Sequence, residues 1–451
     1  MAVGKWLRSE VILPGHEWIM RRPTFRYLRE LLASRALGRD GIRALQERKL
    51  RRLLIHSFET TAFYRDRVLD SGCDPRHDDP WRVLAALPLL TRQDIRDNLD
   101  RMRSTACRRA RLGTTSGSSG TPLRFVIGPE RMASDKAARL RAQLDWGVPI
   151  GERKVWLWGM SLAPSWADRL KNLRDWLTRE YSLNAYDMTP DRIRQYAACL
   201  RRWRPSSVTC YPSAAWRLCR FAEDEGIDLR PACVAVWFCT GETLEDHYRE
   251  VIERVSGGGT ANEYGMREAG FIAHACPAGT IHVMPEIILA ETIRPDGTPA
   301  GDAVGEIVVT NLDGLAMPLI RYQTGDVACL EDSQCPCGWQ TQSLRSLVGR
   351  RTSFLISADG TPRVGFAASR AFANVPGVQQ FQLIQESLQL TRIVVVPSAT
   401  FGPQSEEMLR SILHRLLGSQ VRVSIERTSE IPCGPGGKTC YIYSNIAGDY
   451  L

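Results

Sequence analysis

The 451-residue sequence contains no apolar stretch long enough to cross a membrane. Its longest unbroken apolar run, residues 232–239, has the length of a strand, whereas a spanning helix needs about 20 residues. The first twenty residues carry Lys5, Arg8, Glu10 and Glu17 with no continuous apolar core. They do not read as a secretory leader, and a cytoplasmic location is expected. Internal repeats and low-complexity segments are lacking, as is any basic patch interleaved with aromatics, so no nucleic-acid partner is expected. Acidic residues are the scarcer charge, 50 against 59 basic, which leaves a formal charge of +9. That excess suits an anionic small substrate as readily as plain solubility. Disulfides are not expected either: the 13 cysteines are odd in number and mostly scattered singly among apolar neighbours.

At 43% hydrophobic and 24% charged residues, the chain is ordinary globular protein, long enough for two or three units. Residues 41–67 read as one helix, with Ile42, Leu50, Leu53 and Leu54 on a stripe and Arg48, Arg51 and Arg52 on a solvated face. Residues 191–203 read as a second helix, before a strand ending at Tyr211-Pro212. Residues 233–239 suggest a buried strand, 244–255 a helix, and 258–264 another strand. This alternation predicts an α/β core. Residues 281–311 change to hairpins around a Pro295-Asp296-Gly297 turn. The last hundred residues read as a separate small α+β unit, with a strand at 393–396, a helix at 409–417 and an alternating strand through Val421, Val423 and Ile425. The boundary is expected near Gly349-Arg350, dividing the chain into 1–349 and 350–451.

The sharpest chemical signal is the run Thr114-Thr115-Ser116-Gly117-Ser118-Ser119-Gly120-Thr121-Pro122, followed by strand-like 123–127. Glycines let backbone N–H groups converge and hydroxyls add donors, which suits a phosphate. From residue chemistry alone, a plain loop is the equal alternative. Gly436-Gly437-Lys438 falls short of a Walker loop, because Pro432 replaces the first glycine and a strand-like segment follows. Cys276 and His282, with Cys335 and Cys337, supply four ligands of the kind tetrahedral zinc takes. Unliganded buried thiols are the simpler reading of that spacing, and His274 is an alternative ligand.

The hydroxyl- and glycine-rich run resembles the phosphate loop of the adenylate-forming superfamily, and further signature segments follow in order. Thr240-Gly241-Glu242-Thr243-Leu244 is similar to the segment beside the adenine and acid pockets. Asn262-Glu263-Tyr264-Gly265-Met266-Arg267-Glu268 and Arg321-Tyr322-Gln323-Thr324-Gly325-Asp326 resemble two more. Gly349-Arg350 resembles the hinge, and Gly436-Gly437-Lys438 the C-terminal lysine motif. Phe63-Tyr64-Arg65 and Tyr211-Pro212-Ser213 resemble the phenylacetate-CoA ligase and CapK-like branch.

This resemblance implies a large N-terminal domain binding ATP and a small carboxylic acid, and a mobile C-terminal lid. The implied reaction is acyl-adenylate formation, then transfer to coenzyme A, or alternatively to an amine or carrier protein. An inactive binding homologue is the rival outside enzymology. By resemblance, Thr115, Ser116 and the amides of Gly117, Ser118, Ser119 and Gly120 hold phosphates. Gly241, Glu242, Asn262 and Gly265 border the nucleotide, Tyr264 packs on adenine and Asp326 accepts from the ribose. Glu268 holds Mg²⁺, Lys438 reaches the α-phosphate and carboxylate oxygens, and the acid lies around Tyr211, Trp216, Phe238 and Gly241. The branch also favours a structural zinc on Cys276, His282, Cys335 and Cys337. Two positions depart from the pattern: Arg267 replaces the usual hydroxyl before Glu268, and no acidic residue follows Arg350.

Overall fold

The computed structural model describes residues 8–115, 123–159, 175, 177–294, 296–332, 334–350, 354–364, 371–372, 375–431 and 442–446. Helices dominate up to Asn98, and a short hairpin follows, of β1 (Arg111–Thr114) and β2 (Arg124–Ile127). The centre is one eleven-stranded sheet. Five of its strands are parallel: β3 (Lys154–Trp158), β4 (Glu180–Asn184), β5 (Ser207–Cys210), β6 (Val236–Thr240) and β7 (Gly259–Met266). The other six extend it in antiparallel fashion: β8 (Gly270–Ala275), β9 (Ile281–Val283), β10 (Ile288–Ile293), β11 (Gly305–Asn311), β12 (Tyr322–Asp332) and β13 (Gln342–Arg350). The order across the sheet is β10-β11-β12-β13-β9-β8-β7-β6-β5-β3-β4.

The parallel half follows from its sequence. Every residue of β5 and β6 is buried, as expected of strands covered on both faces. The helix Pro190–Trp203 leads from β4 into β5 and the helix Pro212–Asp224 from β5 towards β6, each opening on a proline whose missing N–H costs nothing there. A third helix, Asp246–Ser256, returns the chain to β7 and stops at Gly257, in the left-handed conformation that suits glycine.

Beyond the large sheet lie a two-stranded hairpin and a four-stranded sheet. The hairpin comprises β14 (Phe354–Ile356) and β15 (Pro362–Val364). The sheet comprises β16 (Val378–Ser387), β17 (Leu390–Pro397), β18 (Arg422–Arg427) and β19 (Ile442–Ser444), in the order β18-β17-β16-β19. Leu409, Leu413 and Leu417 of the helix Pro403–Leu417 share an apolar cluster with Ile393, Val395 and Val423, separate from the clusters of the large sheet.

Three sequence expectations need correction. The helix expected over 41–67 is two helices, Arg39–Thr60 and Ala62–Asp70. Thr61 between them is extended, and its hydroxyl accepts from Tyr64 N and donates to Ser57 O, which makes a break favourable. The strand expected over 233–239 begins at Val236, because Cys233 sits at φ 54° closing a short turn. The basic face of the first helix is also only partly solvated. Lys49 Nζ and Arg52 Nη2 lie 2.8 and 3.3 Å from the fully buried carboxylate of Asp313, which fastens the N-terminal helices to the sheet.

Tyr64 makes a second fastening: its hydroxyl donates to Pro318 O at 3.0 Å and accepts from Ile320 N at 3.1 Å. Both partners lie just before β12. Tyr64→Phe strips two buried backbone groups of their partner and is expected to destabilise the chain by about 1–3 kcal/mol. A urea denaturation midpoint equal to that of the wild type would refute this.

Candidate active site and metal cluster

The parallel strands all deliver their C-terminal ends to one edge, where open α/β sheets bind ligands. Trp158 ends β3 and Tyr211 follows β5, and their rings stack with centroids 4.1 Å apart. Gly241 follows β6 at φ +84°, and a Cβ there would stand 3.1 Å from the Tyr211 ring, so glycine satisfies both conformation and space. Glu242 turns back to accept from Ser213 N at 3.2 Å, at the start of the helix Pro212–Asp224 that precedes β6. Trp216 and Phe238, also expected near the acid, are not part of this stack. Trp216 packs against His247 and Tyr248, while Phe238 joins Val148, Val236 and Ala261 in a separate cluster.

β7 carries Asn262, Tyr264 and Gly265. The Tyr264 hydroxyl donates to Asp326 Oδ2 at 2.8 Å, tying β7 to β12. Burial, then the Asp326 charge, push the Tyr264 pKa up, so it remains a donor. Its ring is 7% exposed and belongs to the main apolar cluster. Just past β7, Glu268 is 2% exposed and accepts from the Tyr322 hydroxyl at 3.0 Å. Arg92 Nη2 lies 3.4 Å from the same carboxylate oxygen. Burial opposes the Arg92 charge, but Tyr322, Glu268 and Asp326 outweigh it and hold its pKa above the usual value. Arg267, in the same turn as Glu268, has an exposed side chain.

The phosphate-loop expectation is described only at its base. Thr115 N donates to Leu123 O and Thr115 Oγ1 accepts from Leu123 N, each at 2.9 Å, closing the loop. Ser116, Gly117, Ser118, Ser119 and Gly120 lie outside the described residues, as does Lys438. Arg350 is the last residue of β13 and faces Asp326 across the ladder.

The second constellation is the metal cluster. The ligand atoms of Cys276, His282, Cys335 and Cys337 all lie within 4.8 Å of one another. Cys276 Sγ and Cys335 Sγ are 3.5 Å apart, and Cys337 Sγ lies 3.3 Å from His282 Nε2. Tetrahedral zinc with ordinary bond lengths asks for about 3.8 and 3.5 Å between such atoms, so the donor set fits. His282 Nδ1 lies 3.2 Å from Thr341 Oγ1, which leaves Nε2 facing the sulfurs. Burial pushes the His282 pKa down to about 4, His274 and Arg35 adding to the shift, and a neutral ring is what a metal requires. His274 is not part of the cluster: its nitrogens lie 3.1 Å from Ala275 O and 3.4 Å from Asp145 Oδ2. Trp339 stands between the His282 ring, 5.0 Å away, and the Arg141 guanidinium, 4.3 Å away.

Comparison with known proteins agrees with this layout. The family described as the CapK C-terminal domain matches residues 355–445. Protein CapK of Staphylococcus aureus is 22% identical over 97% of this chain and 96% of its own length. A phenylacetate-coenzyme A ligase of Thermus thermophilus is 26% identical over 71% of this chain and 73% of its own. The crystal structure of a 2-hydroxyisobutyryl-CoA ligase, in its postadenylation state, superposes with a TM-score of 0.72 at 18% identity, covering 91% of each chain. The fold is that of the adenylate-forming enzymes, and the chain resembles their CapK-like and phenylacetate-CoA ligase branch. Of the segments singled out in the sequence, residues 240–244 follow the end of β6, residues 262–268 run through the end of β7, and residues 321–326 open β12.

Sequence reasoning passed over Arg92, Trp158 and Tyr322 as site residues. A signal existed for Arg92. It follows Thr91, which forms a capping box with Asp94, so a cation occupies the first turn of a helix, where the dipole disfavours it. Such a charge needs an anionic partner, and a bridge between Leu90 and Tyr322 delivers it to Glu268.

The segment after Gly241 runs into Glu245, whose pKa burial, and then Asp246, push up to about 7 against the pull of the helix it precedes. Its Oε2 is buried with no hydrogen-bond partner among the described residues. A carboxyl raised in the folded state contributes stability below its unfolded pKa and loses it as pH rises through the folded value. Glu245→Gln is therefore expected to raise the melting temperature at pH 8 and change it little at pH 4.5. Equal melting shifts at the two pH values would contradict the assignment.

Proposed function

We propose that the chain is an ATP-dependent ligase that activates a small carboxylic acid as its acyl-adenylate and then transfers the acyl group to coenzyme A. The observation that carries this reading is the meeting of Glu268, Tyr322, Tyr264 and Asp326 at the strand ends. Two tyrosines thereby link the turn after β7 to β12, and bring together the carboxylate that would hold a metal and the one that would meet a diol. The named activities of the phenylacetate-coenzyme A ligase and 2-hydroxyisobutyryl-CoA ligase relatives support it.

In the first step a carboxylate oxygen of the acid attacks the α-phosphorus of ATP, and pyrophosphate leaves. In the second the thiol of coenzyme A attacks the acyl carbonyl, loses its proton, and AMP leaves. The work of the protein is positioning and charge neutralisation. Asp326 receives the ribose hydroxyls with its orientation set by Tyr264, since a carboxylate's paired acceptors match a diol. Glu268 would hold Mg²⁺, which when bound offsets phosphate charge, and Tyr322 orients that carboxylate. By the sequence resemblance, Thr115, Ser116 and the amides of residues 117–120 would donate to the phosphates. Arg267 replaces a neutral hydroxyl donor with a guanidinium able to make charge-assisted bonds to a phosphate. The stacked Trp158 and Tyr211 form an apolar wall for the acid beside Gly241 and Glu242.

The chain then divides into 1–349, binding ATP and acid, and 350–451, a lid delivering Lys438. The separate apolar cluster of the C-terminal sheet and the family match over 355–445 support that division. Acid-dependent exchange of pyrophosphate into ATP tests the first step. Lys438→Ala is expected to slow it by about 10²–10³-fold. Absence of exchange across aliphatic and aryl acids would sink the ligase reading, and undiminished exchange in Lys438→Ala would remove that lysine's role.

Cys276, His282, Cys335 and Cys337 would hold a structural zinc, because four protein ligands leave no open position for chemistry. Purified protein is expected to contain one zinc per chain by elemental analysis, and Cys335→Ser to lose it together with thermal stability. A metal-free wild type that melts unchanged after zinc addition would rule this out.

A further inference from the structure

The turn joining β7 to β8 presents Arg267 and Glu268, and its backbone is claimed almost atom by atom from outside. Arg131, on the helix Pro129–Asp145, is 5% exposed. Its guanidinium donates through Nη1 to Glu268 O and through Nη2, at 2.6 Å, to Arg267 O. Arg131 Nε lies 3.5 Å from Asp135 Oδ2, and Asp135 Oδ1 accepts from Phe271 N at 3.0 Å. Asn311 Nδ2 donates to Ala269 O at 2.8 Å. Three successive carbonyls and the next free amide of the turn are therefore bound by side chains from two other elements. Gly270 sits at φ +98°, where a Cβ would stand 2.6 Å from Asp135 Oδ1, so the turn is closed down onto this carboxylate.

We infer that Arg131, with Asp135, is a positioning residue that presets the Glu268 carboxylate for the metal–nucleotide complex. The inference rests on the ligase reading above and adds to it a residue that does not touch the reacting atoms. Two physical points carry it. A buried guanidinium is costly unless its donors and charge are matched, and here that cost goes into holding two adjacent carbonyls. Arg is also the side chain whose rigid planar fork can serve both carbonyls at once. A lysine ammonium, as a point charge, fixes one direction poorly. With the backbone of residue 268 held, its side chain is aimed by the hydrogen bonds from Tyr322 and Arg92. Without the clamp, the turn rotates and the carboxylate must be reordered each time metal binds. Outer-shell partners of this kind typically govern metal affinity by 10–100-fold.

The test compares the full-length wild type with Arg131→Met and Arg131→Lys, reading acid-dependent ATP–pyrophosphate exchange as Mg²⁺ is varied at saturating ATP. Arg131→Met is expected to need roughly 10–100-fold more Mg²⁺ for half-maximal exchange. Millimolar guanidinium should restore part of that loss in Arg131→Met and none in Arg131→Lys. A half-saturating Mg²⁺ concentration equal to that of the wild type, with activity falling only in step with the folded fraction, overturns the inference. Amide hydrogen exchange gives a readout independent of activity. Residues 267–271 should exchange at least about tenfold faster in Arg131→Met while the helix Asp246–Ser256 is unchanged. Unaltered exchange over 267–271 also overturns it. A wild type that lacks pyrophosphate exchange but whose turn loosens in Arg131→Met would instead fault the ligase reading and leave the clamp standing.

Discussion

Everything in the large domain hangs on the change of strand direction at β7. On one side its neighbour β6 is parallel, so the chain must cross over through helices and bring its loops back to the same edge. On the other side β8 is antiparallel, reached through a short turn. The strand therefore ends in a place where crossover loops from β3, β5 and β6 already gather, and where the chain must reverse at once. Polar groups at that reversal find few waters and must be met by protein. This accounts for the density of hydrogen bonds around residues 264–271, and for Glu268 being almost wholly buried while still addressed by Tyr322 and Arg92.

The cluster of three cysteines and His282 lies farther along the antiparallel half. Cys276 ends the β8–β9 hairpin side and His282 sits on β9, while Cys335 and Cys337 lie in the connection from β12 to β13. That connection has little apolar content of its own beyond Trp339, which inserts between His282 and Arg141. A metal would bind the two connections together where packing alone is thin. Arg141 in turn pairs with Glu286 and contacts Leu31 O, so the cluster leans on the N-terminal helices.

Much of this was legible in the sequence because the relevant signals are local. β6 and the helix after it were readable from a buried apolar run and from periodicity; Cys276, His282, Cys335 and Cys337 were favoured as one set only through the family resemblance, since 59 residues separate Cys276 from Cys335 and their spacing alone reads more simply as unliganded thiols. Glu268 and Asp326 were readable as members of ordered segments. What stayed hidden depends on distant partners. Nothing near Arg131 announces that it serves carbonyls more than 130 residues away. The solvated face assigned to Arg52 could not reveal a buried Asp313. Trp216 and Phe238 have the composition of a binding pocket, yet alternation along β6 turns Phe238 to the other face of the sheet, and Trp216 points into the helical layer. The single helix expected over 41–67 failed on one hydroxyl: Thr61 offered the backbone an alternative that its apolar periodicity did not encode.

The fastenings of the N-terminal helices also bear on how the chain is made. Lys49 meets Asp313 across 264 residues of sequence, and Tyr64 meets Pro318 across 254. A ribosome elongating at about 5–20 residues per second emits the first helices well before β11 and β12 exist. During that interval Leu50, Leu53, Leu54 and Tyr64 have no sheet to cover them, and loop closure over so long a span is slow. The start of the chain is thus the part that waits longest for its partners. Newly made N-terminal segments are where chaperone demand and aggregation during synthesis should concentrate.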